Sequence, residues 1–515
     1  MTKTRIGERT PVIIGVGQVS EQPGQTGYLA RSPAELGAAA LRAAIVDCRA
    51  RDNVASAVDT IAVIRQFENS TPVSLAPFGK SNNFARSLGR RIGADPRRAI
   101  LEISGGQGNQ KLVGELAEQI ALGHSELAII AGAEAISTTL HLKAQGETRD
   151  WSETVPGELE DRGFGVEGLG DNTLRQHGFA GAIPGYALFE NARRARLGRS
   201  LQQYRRDIGE LFAPFTRVAA MNPHAASHVE RSAEELATVS DRNRIVAEPY
   251  TRMTVARDQV NQAAAVILCS VAKARAIGVP ENRWVHIHGV VSANEPTPLQ
   301  RPDLSQSPAA AAATRRALEI AGQHFEVMNF IDLYSCFAIP VFNIIDNFAL
   351  SVDDPRGFTL TGGLPFFGGA GNNYSMHAIT EAVMRLRARP GTWGLVGANG
   401  GFMSKYAVGI YSTLPASWAE PAARVQKLAD SSARLPVIDR AEGSAVVDTY
   451  TIVPRERGDL GAVVARHAAS GARCVAVVAP GDTATMLALR AGEPFGRRIE
   501  IRGGANEHNY FTFTN

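Results

Sequence analysis

The sequence is short of what would mark a membrane protein, a secreted disulfide scaffold or a nucleic-acid binder. Only four cysteines occur in 515 residues, Cys48, Cys269, Cys336 and Cys474, far apart and without a CxxC pair. That spacing indicates neither a zinc site nor a disulfide framework, so no metal is expected and each thiol reads first as a small buried apolar residue. No apolar run reaches the ~20 residues that span a bilayer, and MTKTRIGERT passes straight into PVIIGVG without a signal-peptide core. The expectation is a cytoplasmic protein that touches no membrane. Charge of one sign is scarce too: 54 basic and 51 acidic residues leave a net +3. That excess argues against a nucleic-acid footprint and leaves room for an anionic small molecule. Aromatics are only 7%, but hydrophobic residues at 44% and charged residues at 20% give the balance of an ordered globular chain, long enough for about two to four domains.

What is present is an alternation of strand and helix signals. PVIIGVGQ at 11–18 reads as a strand, SPAELGAAALRAAIVDC at 32–48 as a helix capped by Ser32, and VDTIAVIR at 58–65 as a strand. RAILEIS at 98–104 is β-like, GNQKLVGELAEQIALG at 108–123 has helical spacing with a closing glycine, and ELAIIAGAE at 126–134 returns to strand. Such succession implies a parallel sheet covered by helices. From about 140 to 255 the rhythm is lost in favour of Gly, Arg, His and Asn, although ENARRARLGRSLQQYRRDIGELFAPFTRVAAM contains good helix. Alternation resumes with VNQAAAVILCS, HIHGVVSA, a helix over 308–322, VMNFIDLYS as a strand over 327–335, a helix through about 348, a helix at 380–389, and WGLVGANGG followed by KYAVGIYST. After Pro415 a connector leads to short valine-rich strands separated by polar turns, a β-rich module of about 80 residues.

The segment Ile103-Ser-Gly-Gly-Gln-Gly-Asn-Gln-Lys-Leu-Val113 stands between a strand and a long helix. A glycine-rich turn there exposes backbone N–H groups and the positive end of a helix dipole, a setting for an activated nucleophile or an anionic oxygen. Tight packing explains the same glycines equally well.

With its surroundings the segment resembles the thiolase family. In that family a strand ends in a Cys-Gly-Ser-Gly turn, and a helix and a strand lead on to Ala-Gly-Gly-Xaa-Glu. Gly105-Gly-Gln-Gly108 stands at the turn and Ala131-Gly-Ala-Glu134 at the strand end. Asn222-Pro-His224, Asp332-Leu-Tyr-Ser-Cys-Phe337, Thr361-Gly-Gly363 and Ala398-Asn-Gly-Gly401 follow in the family's order, over roughly residues 8 to 415. Tyr334-Ser-Cys-Phe337 matches the His-Asp-Cys-Phe motif of sterol-carrier-protein-type thiolases, and the extra C-terminal module narrows the likeness to thiolase-like protein type 1. The resemblance implies a duplicated five-layered α/β fold. It divides the chain into an N-terminal half (1–140 and 256–275), a loop domain (141–255), a C-terminal half (276–415), a linker (416–435) and an additional β-rich domain (436–515). It also implies an acyl-coenzyme A thioester as partner, with coenzyme A arriving as part of the substrate and no tightly bound cofactor, and a monomer or homodimer.

The departures from the family pattern decide the chemistry. The nucleophilic cysteine aligns with Gly105, the Gly-His-Pro histidine near Gly369, and the Cys-Xaa-Gly cysteine with Ala398; only Cys336 survives, beside Tyr334 in place of histidine. Losing such a nucleophile or base typically costs on the order of a millionfold in turnover, so thiolysis through an acyl-enzyme is not expected. Cys336 and Tyr334 are the candidate proton-transfer residues. Gly105, Gly106, Gly108, Asn399 and Gly400 are the candidate oxyanion pocket, suited to an enolate and to carbon–carbon cleavage of retro-aldol type in lipid or sterol degradation. Ser104 adjoins the lost nucleophile but is misaimed by one position and lacks an evident base. Tyr374 and His377 either approach the site vacated by the histidine or serve as first-turn capping and packing. A non-catalytic coenzyme A or acyl-coenzyme A binder is the alternative.

Overall fold

The computed structural model describes residues 6–166, 171–179, 181–430, 432–504 and 507–514. The first helix shows why the alternating segments fold as they do. Ser32 and Glu35 close a capping box, Pro33 occupies the first turn, and Leu36, Ala40, Leu41, Ala44 and Cys48 form one buried face of α1 (Pro33–Cys48). That face covers strands β1 (Pro11–Ser20), β4 (Leu127–Ala135) and β5 (Asn261–Ser270) of the N-terminal half. The remaining strands there are β2 (Thr60–Val63) and β3 (Arg98–Leu101), and β2 runs parallel to both β3 and β4.

The second half is built from β6 (Val285–Asn294), β7 (Phe330–Asp332), β8 (Trp393–Gly400) and β9 (Lys405–Ser412). All these strands join one eleven-stranded mixed sheet in the order β7-β8-β9-β6-β1-β5-β4-β2-β3, with Glu160–Asp161 at the far edge. Among the described residues the strands of the two halves pair where Val12 and Ile13 meet His286 and Val285. Two helices, α2 (Gly108–Leu122) and α7 (Tyr374–Ala388), lie between the halves, and each packs on strands of both. Helices α5 (Pro308–Ala321) and α6 (Ala338–Asn347) pack on the C-terminal half beyond them. Outer helix, sheet, shared helices, sheet, outer helices make five layers, as the resemblance implies.

The inserted segment supplies α3 (Ala182–Arg196) and α4 (Leu201–Met221). The connector after Pro415 contributes β10 (Val425–Lys427), which pairs in parallel with β6. The C-terminal module is a closed barrel of β11 (Gly443–Val453), β12 (Leu460–His467), β13 (Arg473–Val477), β15 (Asn509–Phe513) and β14 (Arg498–Gly503). It also holds a helix absent from the sequence reading, α8 (Thr483–Ala491), whose first turn is capped by Asp482. VMNFIDLYS is strand only over Phe330–Asp332, because the Leu333 N–H leaves the ladder for Phe358 O. Among the described residues no helix is long and apolar enough to cross a membrane.

The barrel is docked through buried polar groups, each with a partner. Fully buried Arg194 of α3 donates to both carboxylate oxygens of Glu493 at 2.8 Å and to Tyr450 Oη at 3.0 Å, while its Nε holds Asn191 Oδ1 at 3.0 Å. Asn191 Nδ2 in turn reaches Tyr450 O at 2.9 Å. Glu493 is more than half exposed, so the ion pair itself counts for little, and the buried amide and phenol left behind set the cost. Arg194→Ala is expected to destabilise the protein by about 1–3 kcal/mol, read as a lower denaturant midpoint. An unchanged midpoint would assign the docking to other contacts.

Candidate active site

β3 ends at Leu101 and the chain turns through Ser104 to Gly108 into α2, at the carboxyl end of a parallel strand, where open α/β sheets collect ligands. Gly105 has φ of +132°, a conformation that side-chain-bearing residues rarely adopt. A Cβ there would also collide with Gln107 Oε1. The space in which the resemblance places the nucleophile is therefore filled by the Gln107 amide. The same amide crosses the Cα of Gly400, and its Oε1 is buried with no hydrogen-bond partner among the described residues. Gly106 is bare for a second reason: a Cβ there would collide with Tyr334 Oη and stand 2.6 Å from Asn399 O.

Tyr334 and Cys336 follow β7 and are nearly buried, 8% and 9% exposed. Tyr334 Oη makes no hydrogen bond among the described residues. Asn399, near the end of β8, donates from Nδ2 to Tyr186 Oη at 2.8 Å and faces Cys336 Sγ at 3.8 Å. Tyr186 donates to Gly401 O at 2.7 Å and stacks on Phe337 with ring centres 4.3 Å apart. Burial pushes the Cys336 thiol up to about 12, and drives the phenols of Tyr334 and Tyr186 above their ordinary range, so all three are neutral donors near neutral pH.

The structure thus gathers Gly105, Gly106, Tyr334, Cys336, Asn399 and Gly400 around one point and adds Gln107 and Tyr186. The expected row of oxyanion donors is shorter than the sequence implied. The Gly105 N–H is taken by Asn372 Oδ1 at 2.9 Å and the Gly108 N–H by Gly105 O at 3.0 Å, because the turn closes on itself. Ser104 Oγ donates to Ser70 O at 2.8 Å. Tyr374 stands behind Tyr334, edge to face at 5.4 Å, with its hydroxyl 2.6 Å from Thr361 Oγ1. His377 instead meets Gln18 Oε1 at 2.6 Å and packs on Phe367, and burial lowers its pKa to about 3. Cys48, Cys269 and Cys474 are free buried thiols, each with its pKa raised by burial. Two wide surface clefts, about 690 and 750 Å³, are lined by none of Gly106, Tyr334, Cys336 or Asn399.

Sequence reasoning missed Tyr186 and Gln107. Gln107 carried a usable signal, a long amide two residues beyond a vacated nucleophile position; Tyr186 comes from the irregular insert and carried none. It also missed Glu190, fully buried one turn along α3, which accepts from Tyr204 Oη at 2.7 Å, from Tyr250 Oη, and from the Ile339 N–H at 3.1 Å in the first turn of α6. Burial raises this carboxyl to about 7.

Residues 424–505 match the family described as Thiolase-like protein type 1 additional C-terminal domain. A monomeric SCP2-thiolase like protein type 1 from Mycobacterium smegmatis is 40% identical, with 99% of this chain and 100% of that one covered and a TM-score of 0.82. An Ltp2-ChsH2(DUF35) aldolase (18% identity, 78% and 97% covered, TM-score 0.56) shares the fold. So does an acetyl-CoA acetyltransferase from Syntrophomonas wolfei (15%, 78% and 99%, 0.57). None of the curated proteins compared with the chain matches it.

Two outcomes are expected from this geometry. Glu190 binds its proton more tightly folded than unfolded, so its stabilisation is full below about pH 4 and is lost as pH rises through about 7. Glu190→Gln should flatten, in part, the fall in melting temperature between about pH 5 and 8; an unaltered slope would mean the carboxyl is not so perturbed. Gly105→Cys should form no acyl-enzyme with acetoacetyl-coenzyme A, since φ and Gln107 both oppose the side chain. A trapped adduct by mass spectrometry would show that Gln107 swings aside.

Proposed function

The chain belongs to the SCP2-thiolase-like proteins of type 1, and on that footing we propose that it acts on acyl-coenzyme A thioesters without a covalent acyl-enzyme. The observation that carries this reading is the Tyr334 hydroxyl, unpartnered among the described residues, lying on Gly106 beside Cys336 and Asn399. The reaction is a retro-aldol cleavage of a β-hydroxyacyl thioester. The β-hydroxyl loses its proton as its carbon becomes a carbonyl, the Cα–Cβ electron pair becomes the thioester enolate, and the enolate takes a proton at Cα. A neutral phenol serves this as a relay, passing its own proton to Cα as it receives the hydroxyl proton, so no buried charge is left behind. The N–H groups of Gly106 and Gln107, which make no hydrogen bond among the described residues, and the Asn399 amide hold the enolate oxygen, and in a dry site such donors act strongly. Coenzyme A enters as part of the substrate. We place the protein as a cytoplasmic monomer in lipid or sterol breakdown, with the monomeric M. smegmatis relative in support.

One observation favours a second reading, a non-catalytic acyl-coenzyme A binder: Tyr334 and Cys336 are nearly closed off, and the wide clefts lie elsewhere. The readings separate on deuterium incorporation at the α-carbon of an acyl-coenzyme A, which needs proton transfer. Tyr334→Phe and Cys336→Ala are expected to abolish exchange while leaving coenzyme A affinity within about twofold, whereas Cys48→Ala and Cys269→Ala do neither. Exchange that survives in both site variants sinks the catalytic assignment; its absence across a panel of acyl esters that bind by calorimetry puts the binder first.

A further inference from the structure

The barrel closes in the order β11-β12-β13-β15-β14, with α8 between its third and fourth strands and with its third and fifth strands parallel. This is the connectivity of an OB-fold, whose second and third strands and the loops joining strands one to two and four to five form a ligand surface. Fold analogy carries no function by itself. The loop joining strands one and two and His508 of the loop joining four and five line a cleft of about 750 Å³, a size usual for small-molecule sites.

Its charge is one-sided once partners are assigned. Of the two carboxylates in the lining, Asp459 pairs with Arg490, and Asp482 Oδ1 caps α8 by accepting the Thr485 N–H at 2.9 Å. The helix terminus is therefore already occupied. Arg455, in the loop after β11, spends one Nη on Gly178 O at 2.7 Å, and exposed Arg457 forms no ion pair or hydrogen bond among the described residues. Arg455 and Arg457 are the donors the lining leaves over, and Glu456 between them lies outside it. The rest of the cleft is mostly aliphatic: Leu460 and Val477 from the barrel, and Met486 and Leu487 from α8, with Leu487 64% exposed. One wall is made by the insert. His177 accepts the Asn509 N–H at 2.9 Å and meets Thr173 O at 2.8 Å, so both ring nitrogens are used and the neutral ring only stacks, on His508 at 5.4 Å.

We propose that this cleft binds an amphipathic organic anion, a carboxylate on an aliphatic body, with Arg455 and Arg457 at the head and the Leu460–Met486–Leu487 floor under the chain. The ligand bridges barrel and insert, and the site is independent of the acyl-coenzyme A reading. Charge complementarity selects the head, and the aliphatic floor selects a chain over a base or sugar.

The test is calorimetry on the full chain with octanoate, octan-1-ol and adenosine monophosphate. Octanoate is expected to bind at millimolar or lower concentration, and octan-1-ol at least about tenfold more weakly. Arg457→Ala and Leu487→Glu, both at exposed positions, should each weaken octanoate by about tenfold or more at unchanged melting temperature. No octanoate binding at several millimolar, equal affinity for the alcohol, or binding untouched by both variants overturns the proposal. Adenosine monophosphate binding in place of octanoate overturns the aliphatic body.

Discussion

Backbone approaches backbone at the candidate site, and the rest of the arrangement follows from that contact. Gly105 and Gly106 from the N-terminal half face Asn399 and Gly400 from the C-terminal half, and a side chain on Gly106 or Gly400 would collide with what lies opposite. The approach is held by a buried polar clamp between the two central helices. Asn109 reaches Asn372 O at 3.0 Å and Ser375 Oγ at 2.9 Å, and Ser375 donates to Gly106 O at 2.5 Å while Asn372 fixes the Gly105 N–H. With the turn pinned, Gln107 fills the space for a nucleophile at 105 and Tyr334 the space over Gly106. Loss of the cysteine is thus one change in a rebuilt centre.

The segments legible in the sequence were those whose conformation is set locally. Ser32 announced α1 and Gly123 closed α2. Where long-range contacts decide, the reading stopped. Nothing local in LYS says that Leu333 abandons the strand, yet that departure turns Tyr334 onto Gly106. The Thr483-Ala-Thr-Met486 start of α8 lies between valine-rich strands, where the sequence reading has only a polar turn, although Asp482 after Pro480-Gly481 is a start signal. Cys336 and Asn399 were found because motif order carried them; Tyr186 and Glu190 were not, because the insert has no periodic frame.

The burial of the centre constrains its chemistry more than its residue list does. Asp332, behind Tyr374, is raised to about 7 by desolvation, as Glu190 is, and the thiol and phenols are held neutral. A site of this kind resists separated charge and rewards hydrogen bonding, since an interior dielectric strengthens both the penalty and the bond. Stepwise base catalysis by a thiolate is the chemistry it suits least, and a concerted relay through one hydroxyl the one it suits best.

Helix α3 ties this centre to the barrel. Tyr186 sits at one end of a stripe of polar residues spaced four apart, Glu190 in the middle and Arg194 at the far end, drifting about 40° per step around the helix. Tyr186 holds Asn399 and stacks on Phe337, Glu190 holds the first turn of α6 directly after Cys336, and Arg194 holds Tyr450 and Glu493 of the barrel. All three are nearly or fully buried, so none can shift without leaving a desolvated polar group. The appended barrel is therefore mechanically continuous with the candidate centre through a single rigid helix. A ligand lodged between the barrel and His177 would press on the same insert that carries Tyr186, which gives the additional domain a physical route to the site that the thiolase halves alone do not have.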